Sequence, residues 1–213
     1  MWRDAPSFES VASTGAGSGP TPDALLSILG AIYRDDVDDE AWMASIVDAM
    51  APYLDAGKGV AGCLFDATDE SNFRVHALVV RGADASLVEA LSKFHVFASM
   101  DFLRVACRGP SVCSTVSSKP ELDATLRSMK DYGILGSLGI ADFLGIRAAS
   151  TDGRGAYMFV PLPERLAAPH PKNFVFGRVA IHMAEALRLR DVAKAARAAL
   201  ANDAVDASDA AER

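Results

Sequence analysis

Cysteine, histidine and one aromatic-rich run are the residues of this 213-residue chain whose chemistry could be put to use. Cys107 and Cys113 flank Arg108-Gly109-Pro110. A neighbouring cation favours the thiolate, so Arg104 and Arg108 beside Cys107 fit a thiol redox sensor. The competing reading is that both cysteines are small apolar core residues, the usual fate of a free cysteine. Cys63, inside the apolar run VAGCLFD, reads as core. Three cysteines with no C-x-x-C spacing argue against a disulfide framework and against a structural zinc site.

The run Phe94-His95-Val96-Phe97-Ala98-Ser99-Met100-Asp101-Phe102 mixes large apolar side chains with a few polar ones. That is the composition of a small-molecule pocket, so Phe94, His95, Phe97, Ser99, Asp101 and Phe102 are candidate ligand contacts. An ordinary core beneath a loop would look the same. His76 alternates with Phe73, Val75 and Ala77 on an expected strand, and is a polar handle if the ligand lies on its face. Otherwise it belongs to the solvated side of that strand. The histidines show no metal-ligand spacing, so no metal and no catalytic residue is nominated, and an enzyme is not expected. Spacing identifies no cofactor.

The acidic stretch Asp35–Glu40 reads as helix capping rather than acid–base chemistry. Gly133, Gly136 and Gly139 form G-x-x-G-x-x-G ahead of a strand, which lacks the spacing and context of a phosphate loop. The net charge of −7 carries no basic block, which disfavours direct nucleic-acid binding by this segment. No apolar run reaches the ~18 residues of a membrane span, and no signal peptide is evident, so a cytoplasmic protein is expected.

The elements that must position these residues follow from local signals. Residues 1–20 are rich in Ser, Gly, Ala and Pro and read as a flexible tail. Thr21-Pro22-Asp23 opens a helix over 22–33, and Trp42, Ile46, Val47 and Met50 stripe a second that ends near Pro52. Val60–Asp66 and Phe73–Arg81 read as a hairpin, as do the runs either side of Ser150-Thr151-Asp152-Gly153-Arg154-Gly155. Helices are expected over 85–94 and 120–132, a short strand over 111–117, and a loop at the three glycines. The longest helix runs from about Asn173 towards Leu200, with Phe176, Val179, Ala180, Met183 and Leu187 on one stripe. Residues 201–213 read as a frayed acidic tail. The order makes an α+β domain over 21–200, with a central antiparallel sheet of about five to six strands flanked by helices.

PYLDAGKGVAGCLFD (52–66), GIADFLGIRAASTDGRGAYMFVPLP (139–163) and FGRVAIHMAEALRLR (176–190) carry a resemblance to a known family. In order and local phrasing the chain resembles a GAF-like sensor domain, and more narrowly the N-terminal sensing region of LuxR-family bacterial transcriptional regulators. The resemblance implies a small molecule held between the sheet and covering helices. It also implies a homodimer signalling through its terminal helices, with DNA reached only through an output domain absent from this chain. Two other readings stay open: a cysteine-based redox sensor or reductase on the same fold, and a ligand-free dimerisation module.

Overall fold

The computed structural model describes residues 19–69, 73–89, 106–107, 109–128, 132–150, 152–166 and 171–211. The Thr21 hydroxyl accepts from the Ala24 amide at 3.3 Å and Pro22 fills the first turn, which starts α1 (Pro22–Ile32). The Asp38 carboxylate accepts from the Ala41 amide at 2.8 Å and starts α2 (Asp39–Leu54). Pro52 sits inside α2 rather than ending it. So close to the C-terminus it removes a single backbone bond.

Five strands form one antiparallel sheet among the described residues: β1 (Val60–Asp66), β2 (Arg74–Arg81), β3 (Val112–Thr115), β4 (Asp142–Ala149) and β5 (Arg154–Leu162). Their spatial order is β2-β1-β5-β4-β3. The two expected hairpins are present, and the β1–β5 ladder from Ala61↔Phe159 to Asp66↔Arg154 joins them. A 3-10 turn (Val116–Ser118) leads to α3 (Pro120–Ser128). α4 (Tyr132–Ser137) occupies the stretch that the glycine spacing marks as a loop. Leu135 and Leu138 pack on the core there, and that burial outweighs the low helix propensity of Gly133 and Gly136. The long helix α5 (Pro171–Ala211) extends past Leu200 through the Ala/Asp-rich stretch, which alanine favours.

Strand alternation divides the core in two. One cluster joins Leu64, Leu144, Ile146, Met158 and Val160 to α1, α2 and the first half of α5, with Trp42, Met43 and Phe176 fully buried. The other joins Ala61, Cys63, Phe65, Phe143 and Tyr157 to Leu87, Leu122 and Leu126. The stripe Phe176, Val179, Ala180 and Met183 is therefore spent on the sheet. The outward side of α5 carries Phe174, Ile181, Leu189, Val192 and Leu200, all exposed.

Two close approaches set the spacing within the sheet. A Cβ on Gly155 would lie 2.4 Å from the Ala148 carbonyl oxygen and 2.5 Å from the Phe65 ring. The carbonyl belongs to the paired strand and cannot move aside. Gly155→Ala is therefore expected to cost about 1–3 kcal/mol of stability, read as a lower urea midpoint with an unchanged slope.

Candidate functional site

The β1–β5 pairing puts two turns at one end of the sheet, because Asp66 at the end of β1 faces Arg154 at the start of β5. The Ala67 amide donates to the Gly153 carbonyl at 3.0 Å and locks them together. Thr68 is held by Asp66, whose Oδ1 accepts from its amide at 2.9 Å and from its hydroxyl at 2.6 Å. Opposite, Asp152 Oδ1 accepts from the Arg154 amide at 3.0 Å. Its Oδ2 accepts from Arg154 Nε at 2.9 Å and Nη2 at 2.7 Å.

A third wall comes from the chain just before β3. Arg147, only 9% exposed on β4, donates through Nη1 to the Ala106 carbonyl at 2.8 Å. Its Nη2 and Nε donate to the Pro110 carbonyl at 2.9 and 3.2 Å. The Ala149 amide donates to the Ser111 hydroxyl at 3.2 Å and secures the same segment. Gly109 adopts φ +106°, and a Cβ there would stand 3.0 Å from Arg147 Nη2, so a side chain is excluded twice over.

These walls line an open cavity of about 570 Å³, with Thr68, Gly109, Pro110 and Asp152 exposed at its rim. Ala67 and Thr68 form one side, Ala149, Ser150, Asp152 and Gly153 the second, and Cys107, Gly109 and Pro110 the third. The volume lies within the few-hundred to ~1,000 Å³ range of small-molecule sites. Its polar groups are two hydroxyls, one carboxylate and backbone, which suits binding and orientation. Burial works to raise the Asp152 pKa, but bonds from the Arg154 amide and guanidinium outweigh it and hold the carboxyl below its usual range. The Asp152 bond in turn raises the pKa of Arg154.

Of the residues expected to bind ligand, Phe94, His95, Phe97, Ser99, Asp101 and Phe102 lie outside the described residues. His76 is exposed on edge strand β2, opposite Leu64 and so on the α1–α2 side of the sheet. It does not line the cavity. Cys107 does, whereas Cys113 pairs with Ile146 in the other core cluster and its thiol points to Asn173 Oδ1 at 3.8 Å. The sheet thus separates the two thiols. Burial pushes each thiol up to about 12, against a slight opposing pull from the Arg147 guanidinium on Cys107. Both shifts disfavour the thiolate, the reactive form of a cysteine. Arg104 and Arg108 also lie outside the described residues. Among the described residues no cluster of His, Cys, Asp or Glu could hold a metal ion, and no helix is long and apolar enough to cross a membrane.

Arg147, Asp152 and Thr68 were not singled out by the sequence pattern. The one local signal is a lone arginine inside the apolar strand DFLGIRAA, at a position whose neighbours are all buried. Asp152 and Thr68 become visible only once β1 is known to pair with β5.

The architecture is of the α+β class, an antiparallel sheet covered by helices with one long helix at its C-terminal side. Among solved structures it is similar to the VqsR LBD (ligand-binding) domain from Pseudomonas aeruginosa. The two share 11% sequence identity with a TM-score of 0.50, over 78% of this chain and 94% of that one, which is a likeness of fold. No family model and no curated protein matches the chain.

Two outcomes test the site. Arg147→Leu is expected to release the 106–110 wall and speed iodoacetamide labelling of Cys107, leaving Cys113 as slow as before. The thiols also fix a pH dependence. Their folded pKa values lie above the ordinary 9.0, so the folded state favours the neutral thiol. That contribution is complete below pH 9.0 and is lost as pH rises towards 12. Urea midpoints should therefore fall across that window, and Cys113→Ala should flatten the fall.

Proposed function

We propose that this chain is the small-molecule-sensing domain of a bacterial transcriptional regulator of the LuxR type, with a GAF-like fold and no catalytic role. The observation that carries the reading is the cavity at the hairpin ends, on a fold shared with a ligand-binding domain. The ligand is a small molecule that meets the Thr68 and Ser150 hydroxyls and the Asp152 carboxylate. Binding does work on the protein only if the ligand favours one of two arrangements of the terminal helices. The regulator acts in the cytoplasm as a homodimer, and reaches DNA through an output domain beyond these residues.

The outward stripe of α5 supports the dimer. Phe174, Ile181, Leu189, Val192 and Leu200 recur at helical spacing, and Leu26 of α1 is exposed as well. Arg178 stacks over Phe174 at 4.5 Å and extends the apolar patch with its aliphatic stem.

Native mass spectrometry, followed by a denaturing run of the same sample, tests the reading. A dimer carrying extra mass that disappears on denaturation is the expected result. A monomer without extra mass contradicts it. Ile181→Glu with Val192→Glu should shift the dimer towards monomer by tenfold or more in dissociation constant, since burying two carboxylates costs well over ~1.4 kcal/mol.

A further inference from the structure

The cavity and the long helix lie on different parts of the sheet, yet one side chain links a residue of the cavity wall to the helix. Arg154 Nη2 donates to Asp152 Oδ2 at 2.7 Å and pairs with Asp191 Oδ2 of α5 at 3.1 Å. Asp152 walls the cavity. Asp191 sits where α5 leaves the body: residues before it alternate between buried and exposed, whereas 194–202 are all exposed.

The neighbouring residue is a second tether on the other side of the same helical turn. Arg190 is 6% exposed and donates to the Arg34 and Val37 carbonyls at 2.8 Å each and to Asp39 at 3.1 Å. Its guanidinium lies 5.1 Å from the Trp42 ring centroid. Arg190 thus anchors α5 to the α1–α2 connection, a part of the structure with no contact to the cavity. The Arg154–Asp191 pair is the tether that begins at the cavity.

We propose that Arg154 couples the cavity to α5, its orientation by Asp152 setting how firmly Asp191 is held. This rests on the reading of the cavity as the ligand site, and supplies the route from that site to the helix. Asp152 binds Arg154 through the main-chain amide, Nε and Nη2, which fixes a long side chain in the pose that reaches Asp191. A cavity occupant that draws Asp152 away leaves Arg154 free to rotate, and the ion pair with α5 then pays the full entropy of ordering it. Asp66 of β1 faces Arg154 as well and is itself opposite Arg74, so the guanidinium has a third carboxylate to turn to. All three members of the relay are about half exposed, so its strength is modest and sensitive to salt.

A mutant cycle on the full chain tests the coupling without a ligand. The readout is hydrogen–deuterium exchange of the α5 amides at 188–196, with thermal melting as the control for folding. Asp152→Asn should speed exchange there roughly two- to fivefold, although Asp152 does not belong to α5. Asp191→Asn should do the same, and the double variant should exchange no faster than either single one. In an Arg154→Gln background neither substitution should add anything. Additive effects of Asp152→Asn and Asp191→Asn overturn the relay, as does unchanged exchange in Asp152→Asn. These outcomes leave the ligand reading untouched, and a failure to find a ligand leaves the cycle untouched, so the two fail separately.

Discussion

The antiparallel pairing of β1 with β5 is the constraint on which the structure depends. Each strand belongs to a local hairpin that is marginal alone, and their ladder converts two ribbons into a sheet with both faces apolar. Such a sheet must be covered twice, which is why α1, α2 and α5 pack on one side while α3 and the side chains of Leu87, Ala106 and Cys107 pack on the other. The same ladder brings Asp66 opposite Arg154, and so the two hairpin turns to one end. The cavity is a consequence of that register. A slip by one residue would exchange the faces of β5 and move its Tyr157 and Met158 into the wrong clusters.

A division of labour follows. The α1–α2–α5 side holds most of the large, fully buried side chains, with Trp42 donating to the Ile32 carbonyl at 2.7 Å and Arg190 closing over its ring. The opposite side carries buried polar groups of its own: Arg147 in the middle of an apolar strand, Tyr157 against Gly145, and Cys107 at the cavity wall. Burial depresses the pKa of Arg147 and raises those of Tyr157 and Cys63. Arg147 spends its donors on two main-chain carbonyls and so turns a loop into a wall. Its part is to position, and the groups that would meet a ligand are Thr68, Ser150 and Asp152.

Much of the fold was legible because its signals are local. Thr21-Pro22 marks the start of α1, the bounds of β1 follow from one apolar run, and Asp152-Gly153 marks the turn between β4 and β5. Where short-range signals compete with packing they mislead: the glycines at 133 and 136 suggest a loop, yet Leu135 and Leu138 make the stretch a helix. The candidate site was the least legible part. Its walls come from three segments far apart in sequence, joined by a strand pairing that no local pattern encodes. Cys107 and Cys113 look like neighbours along the chain, but strand alternation sends Cys113 through the sheet to the α5 side. The aromatic run at 94–102, with the composition of a pocket, lies outside the described residues.

The central claim is that the cavity between the two hairpin turns receives a small molecule. The most direct test is a thermal-shift screen of a small-molecule library against the wild-type chain and Thr68→Trp, whose indole would fill the cavity from an exposed wall position. The account predicts compounds that raise the melting temperature of the wild type and leave that of Thr68→Trp unchanged. Stabilisation of both proteins to the same extent, or of neither by any compound, would contradict it.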